Sequence, residues 1–243
     1  MIKPSREYIY GINPVFEVVR AGRRKVYEAY LNQTASKQPR IRKLSQYLER
    51  MSIPIQWVDK GRLNDLASSR DHQGAVLKAK PYPYQPSETF WDRPRLLLLD
   101  NVEDPHNIGG ILRSAEIFGF HTILLSIKGV PEIYPSVVKV SAGATEFLDI
   151  AKDATANQYV QTAKERGYQI VALDGGGDTD IREVRGKLSG KVLVVIGGED
   201  RSVGQFILNQ ADFVATIPQK GRINSLNASV AAGIALFALQ VKS

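Results

Sequence analysis

The chain has no cysteine among its 243 residues. That excludes disulfides, thiolate nucleophiles and cysteine-ligated zinc or iron–sulfur centres. Histidine is scarce as well. His72, His106 and His121 show no metal-ligand spacing, so no metal is expected; His72 and His121 read as structural, and His106 keeps a substrate contact open because it lies in a polar motif described below. No apolar run approaches the roughly 20 residues that a bilayer-crossing helix needs. The N-terminal MIKPSREYIYG has neither the apolar core of a secretory signal nor the acid-poor arginine and serine bias of a transit peptide. A cytoplasmic protein without membrane attachment is the expectation.

What is present is an ordinary globular balance, 43% hydrophobic and 23% charged, in a length that permits one large domain or two modest ones. The net charge of +7 is unevenly spread. Residues 1–80 carry 16 Lys/Arg against 7 Asp/Glu, whereas residues 81–243 carry 16 against 18. The basic first third reads either as a surface for a polyanion, a nucleic acid above all, or as a solvated face kept for solubility. Candidate phosphate contacts are Arg20, Arg23, Arg24, Lys25, Arg40, Arg42 and Lys43.

Residues 81–94, PYPYQPSETFWDRP, contain four prolines and mark a linker between domains 1–80 and 95–243. Before it, Asn13-Pro14 reads as a cap and first helical residue, with Gly22 closing that helix. VYEAYLN, PIQWVD and GAVLKAK read as strands, and RIRKLSQYLERM as a helix with Ile41, Leu44 and Leu48 on one face; with the short helix RLNDLAS this predicts a small α/β/α domain. After the linker, RLLLLDNV, TILLS, FLDIA, YQIVALD, KVLVVIGG and FVATIP are apolar throughout, as parallel strands covered on both faces should be, and helical patterns lie between most of them. The class is α/β with a mostly parallel sheet. Its ligands belong beyond the carboxyl ends of the strands.

Three polar segments fall at those ends. In DNVEDPHNIGGILRS, a strand enters a helix through Gly109-Gly110, which would aim N–H groups and a positive dipole end at the sheet's mouth. Asn107 there is either a site residue or an N-cap, and Arg113 either a site residue or a solvated helix residue. In VVIGGED, two glycines bring bare backbone close to a ligand, with Glu199 behind them as an acceptor. The G-x-G-x-x-G spacing of a dinucleotide site is missing, and Asp174-Gly175-Gly176-Gly177 reads as a turn because no helix starts directly after it. In TIPQKGRINSLNAS, Ser225 is the candidate N-cap of a final helix whose face would be Leu226, Val230, Gly233, Ile234 and Phe237. Asn224 and Asn227 are left unexplained by capping and point to a site.

In this order and spacing, D-N-x-x-D-P-x-N-x-G-x-x-x-R-S, G-x-E and N-S-L-N-x-S-x-A resemble the SpoU branch of the SPOUT RNA methyltransferases over residues 95–243. Residues 8–80, with YGINPVFEVV and HQGAV, are similar to the L30e-like substrate domain of bacterial 23S-type rRNA guanosine-2′-O-methyltransferases. The resemblance implies a C-terminal trefoil knot, against the general rule that chains do not thread loops. It implies S-adenosylmethionine as cofactor, held near Gly197, Gly198, Ile217, Pro218, Leu226 and Asn227, and a homodimer in which the first motif of one subunit completes the other's site. The activity implied is methylation of a ribose 2′-hydroxyl, with Arg113 central and Asn107, Glu199, Ser225 and Asn227 aligning the hydroxyl and the motif loops. A guanidinium with a pKa above about 12 is a poor base, so Arg113 is read as orienting the phosphate and stabilising the developing alkoxide, and the proton's acceptor stays open. The competing readings are a tRNA ribose methyltransferase, a resistance-type rRNA adenosine methyltransferase, and a non-catalytic RNA-binding ribosome-assembly protein. A nucleotide-dependent oxidoreductase lacks its phosphate fingerprint.

Overall fold

The computed structural model describes residues 5–199, 202–222 and 225–240. Two units separate by contact, Met1–Pro83 with Ile133–Glu146, and Tyr84–Glu132 with Phe147–Ser243.

The first unit runs β1 (Glu7–Tyr10), α1 (Ile12–Ala21), β2 (Val26–Asn32), α2 (Pro39–Arg50), β3 (Ile55–Val58), α3 (Lys60–Ala67) and β4 (Ala75–Ala79). Its sheet has the order β1-β4-β2-β3, with β4 antiparallel to both neighbours and β3 parallel to β2. Successive strand residues point to opposite faces. Tyr10, Tyr30 and Val76 therefore meet Leu63 of α3 on one side. Ile9, Ala29, Leu31 and Leu77 are buried on the other, where α1 brings Val15 and Val18, and α2 brings the anticipated stripe of Ile41, Leu44 and Leu48. This is the expected α/β/α arrangement with an added strand, β1, that the sequence did not announce. Gly22 closes α1 in the left-handed conformation, as read, but Asn13 is not the cap. The chain leaves β1 through Gly11 at φ 102°, so the helix starts before Asn13, whose side chain instead accepts from Arg40 Nη2 at 2.9 Å.

The remaining elements are β5 (Arg95–Leu99), α4 (Pro105–Ile117), β6 (Thr122–Leu125), α5 (Pro135–Val140), β7 (Asp149–Ala151), α6 (Ala156–Glu165), β8 (Gln169–Leu173), β9 (Thr179–Asp180), α7 (Ile181–Lys187), β10 (Val192–Ile196), α8 (Gln205–Gln210), β11 (Phe213–Thr216) and α9 (Ala228–Leu239). Helix α5 packs on β1 and α1 and belongs to the first unit. The others build a seven-stranded parallel sheet in the order β7-β6-β5-β10-β8-β11-β9.

Strands β5 and β10 are buried on both faces, which is why their sequences are apolar without alternation. Leu96, Leu98, Leu193 and Val195 pack with Tyr159 and Val160 of α6 and Ile207 of α8. The alternate residues Leu97, Leu99, Val194 and Ile196 fill the opposite face. The contact boundary at Pro83–Tyr84 lies inside the proline-rich stretch, which is no free tether: Phe90 and Trp91 are buried in the second unit's core, and Gln85 N–H donates to Ile150 O at 2.9 Å.

Candidate active site

Strands β5, β10, β8 and β11 are adjacent and parallel, so their carboxyl ends share one edge of the sheet. A cavity of about 390 Å³ opens there. Its walls are the β10 exit from Ile196 to Glu199, the β11 exit at Thr216 and Ile217, and residues Ser225–Ala228. Gly197, Gly198, Ile217, Ser225, Leu226 and Asn227 all line it. Pro218 does not, since the extended chain turns Ile217 toward the cavity and the next residue outward. Leu173, Asp174 and Gly175 supply a further wall that the sequence reading passed over. Asp174–Gly177 is a turn, with Gly176 N–H donating to Asp174 Oδ1 at 2.8 Å, yet it sits at the end of β8 beside β10. Its position after a core strand was the available signal. Gly197 is needed for a different reason than ligand approach: a Cβ there would stand 2.5 Å from Val203 N.

The polar residues of the three segments converge at the edge of this cavity. Glu199 Oε1 accepts from Asn107 Nδ2 at 3.1 Å, from Asn227 Nδ2 at 2.5 Å and from Ala228 N–H at 3.1 Å. Asn227 Nδ2 also donates to Asn107 Oδ1 at 2.8 Å. One carboxylate thus ties the α4 start, the β10 exit and the α9 start together. Hydrogen bonds to a charged acceptor are among the stronger ones a protein makes, which suits a group that fixes loop geometry.

Local capping explains how these side chains come to face one another. Asp104, not Asn107, caps α4, accepting from His106 N–H at 2.9 Å with Pro105 in the first helical position. Asn107 is thereby left free in the first turn, buried and turned to Glu199. Gly109 and Gly110 lie inside α4 rather than before it, and Gly110 serves packing: a Cβ there would stand 2.8 Å from Cβ of Ser229. Likewise Asn227, not Ser225, caps α9, its Oδ1 accepting from Ser229 N–H at 3.0 Å and Val230 N–H at 3.3 Å. Asn224 lies outside the described residues.

Arg113 does not join the network. It is exposed, and among the described residues it makes no hydrogen bond or ion pair. Six residues along α4 from Asn107 is a rise of about 9 Å. The face expected to seat α9 is also not the buried one. Ala232, Ala235, Leu236 and Leu239 are buried, while Val230 and Phe237 are 50% and 59% exposed, and Ile117, one turn after Arg113 on α4, is 62% exposed. Phe237 meets Phe118 edge-on at 5.7 Å between ring centres.

The profile of the SpoU rRNA methylase family matches residues 94–237, and that of the RNA 2′-O ribose methyltransferase substrate-binding domain matches residues 8–85. The chain belongs to the SpoU rRNA methylase family. It is similar to YacO of Bacillus subtilis, assigned to the TrmH family of tRNA/rRNA methyltransferases, with 29% identity over 240 residues that span 96% of this chain and 94% of that one. Its fold matches a crystal structure of an RNA 2′-O ribose methyltransferase at TM-score 0.81 and 23% identity, over 97% of this chain and 88% of that one. A second, the AdoMet-bound rRNA methyltransferase of Sinorhizobium meliloti, matches at TM-score 0.77 and 23% identity, over 97% and 87%.

In this SpoU methylase, Asp100 directly follows β5 and is buried, which pushes its carboxyl above the usual range; the N–H of Gly204, donating to Oδ2 at 3.3 Å, offsets part of that rise. Of the basic residues anticipated for RNA, Lys25, Arg40, Arg42 and Lys43 are exposed, Arg20 is exposed beside Glu17, and Arg23 is half-buried near the Tyr82 hydroxyl. Arg24 must be withdrawn. Its side chain is fully buried in the first unit, where Glu146 takes Nη2 at 2.7 Å and Glu7 takes Nη1 at 3.1 Å, so no phosphate can reach it.

Proposed function

We propose that this SpoU enzyme methylates the 2′-hydroxyl of a guanosine ribose in large-subunit rRNA, in the cytoplasm and as a homodimer. The observation that carries the site assignment is the Asn107–Glu199–Asn227 network, because it draws one residue from each of the three segments to a single cavity edge. The cavity fits S-adenosylmethionine: its volume lies within the range of small-molecule pockets, and its walls combine bare backbone at Gly197 and Gly198 with apolar Ile217 and Leu226. That cofactor, when bound, supplies a methyl group on a cationic sulfur.

The chain's own contribution is placement. Backbone at Gly198 and Leu226 holds the donor, and Glu199, through Asn227 and Asn107, fixes the loops on either side of the reacting oxygen. Holding two reactants in line can supply about 7–11 kcal/mol of a barrier, which is ample where no covalent intermediate is needed. Arg113 then orients the ribose phosphate and stabilises the alkoxide as it develops. It is supplied to the partner's site across α4 and α9, whose Ile117, Val230, Ile234 and Phe237 are exposed apolar side chains of the kind that oligomers cover. The trefoil threading belongs to the same reading and rests on the family. The rRNA preference rests on the family and on the basic first unit.

Calorimetric titration with S-adenosylmethionine, followed by methylation of total RNA with labelled cofactor and mapping of the modified nucleotide, tests the whole reading. Folded protein that binds no cofactor would end the enzymatic interpretation and leave an assembly factor. Label in tRNA would move the substrate.

A further inference from the structure

The first unit holds an open cleft of about 630 Å³ whose purpose the methyl-transfer site does not explain. Arg40 at the start of α2, Lys60 at the start of α3 and Arg70 in the loop before β4 stand around it. Lys139 of α5 adds a fourth cation: its ammonium would stand 2.8 Å from a Cβ on Gly11, next to the lining residue Ile12, and His72, Asp71 and Arg40 all feel its charge or lend it theirs. Among the described residues none of the four has a carboxylate within ion-pair distance, and Asp71 is the one acid close enough to register on Lys139 and His72. Arg40 is held in place, donating to Asn13 Oδ1 at 2.9 Å.

The floor of the cleft is built rather than incidental. Gln73 and Gly74 are consecutive left-handed residues, at φ 53° and 84°, and a glutamine there costs conformational energy that surrounding contacts must hold in place. Those contacts are visible. Gly74 N–H donates to His72 Nδ1 at 2.9 Å, which leaves the proton on Nε2, 3.1 Å from Asn64 Oδ1, and Gln73 Oε1 accepts the first N–H of α1 at 3.3 Å. Burial, and then Lys60 and Lys139, lower the His72 pKa, so the ring is neutral and organises the turn without adding charge. Helix α2 opens beside the cleft on Gln38 with no side-chain cap, leaving its positive end toward the same space.

We propose that this cleft seats the phosphate of an unpaired ribonucleotide of the RNA substrate, bracketed by Arg40, Lys60 and Arg70 and reinforced by Lys139. The proposal rests on the RNA-methylation reading and gives the first unit a defined contact in place of a diffuse basic face. A recess of this kind admits a nucleotide splayed out of a helix, whereas a duplex presents its backbone to open surfaces. Lys139 is the unexpected member, because it lies outside the residues matched by the substrate-binding profile.

Anisotropy titration of the full-length chain with a fluorescein-labelled 15-nucleotide mixed-sequence single-stranded RNA decides the matter. K60Q/R70Q is expected to weaken binding at least tenfold at 100 mM salt and to lower the slope of log affinity on log salt by about 1.4, at about 0.7 per phosphate contact. Lys139→Gln alone should cost about threefold, at roughly one ionic contact. R50Q/K80Q, which removes the same charge elsewhere on the unit, should cost less than threefold. Calorimetry with S-adenosylmethionine should be unchanged in all three. Equal losses in the two double variants, or none, would overturn the cleft while leaving the enzymatic reading intact. Saturable binding of GMP that K60Q/R70Q abolishes, with RNA affinity untouched, would make it a free-nucleotide site and overturn the proposal too. Wild-type protein that binds neither cofactor nor RNA would end both readings.

Discussion

Asn227 does two jobs with two atoms, and they can be separated. Its Oδ1 caps α9, and its Nδ2 donates to Glu199 and Asn107. Asn227→Ala loses both. The cap is worth about 1 kcal/mol, and the two side-chain bonds, one exposed and one partly buried, add roughly another 1 kcal/mol between them. A loss of about 2 kcal/mol in a unit of this size lowers the unfolding midpoint by about 4–8 °C. Asn227→Ser is the informative partner, since serine caps about as well as asparagine but is too short to reach Glu199. It should recover more than half of the lost thermal stability while methylation stays at least tenfold down in both variants. The assay is paired scanning calorimetry and single-turnover methylation of total RNA. If Asn227→Ser methylates at the wild-type rate, the network is a capping arrangement and not a site. If Asn227→Ala melts with the wild type, the capping account of α9 is wrong.

Four further outcomes follow from the same geometry. Arg113→Ala should lower the methylation rate by about 10²–10³, as for loss of a charge-stabilising group, with cofactor affinity and oligomeric state intact; equal loss of cofactor binding would make the arginine structural. Phe237→Glu should convert dimer to monomer in sedimentation and abolish methylation with it, and an active monomer would remove the shared-site reading. Asp100→Asn keeps an acceptor for Gly204 N–H and removes a buried charge. The raised carboxyl of Asp100 contributes stability below its unfolded pKa of about 3.9 that is lost as pH rises through its higher folded value, so the variant should melt above the wild type at pH 7–8 and the gap should close toward pH 4; a difference independent of pH refutes this. Glu146→Gln leaves the buried Arg24 with Glu7 alone and should cost about 3 kcal/mol, read as an earlier urea transition.

The parallel sheet was legible because β5 and β10 are apolar on both faces, a pattern that follows from burial alone. Strand β1 was not, since EYIY is short and half its positions are partly exposed. The placement of α5 was hidden for a deeper reason. Periodicity makes SVVKVSAGA helical, and the helix found is PSVVKV, but which sheet it packs on depends on contacts with β1 more than a hundred residues earlier. The same limit explains Arg24, whose charge reads as surface until Glu146 arrives from that distant segment.

The site divides along similar lines. Asn107, Glu199 and Asn227 could be picked out because capping chemistry can use only one polar residue per helix start, and each segment carried more than one. Residue type alone left Asn107 open between cap and site residue and pointed to Ser225 where Asn227 caps, for one reason. Asp104 and Asn227 stand where the backbone turns into the helix, and that turn is set by Pro105 and by the close approach of α9 to Gly110, neither of which the choice of residue type reveals. The corrected caps strengthen the functional case. An Asn107 occupied as a cap would be held at the helix end, whereas one released by Asp104 offers its amide to Glu199, so the cap at Asp104 decides between the two readings that the sequence left open.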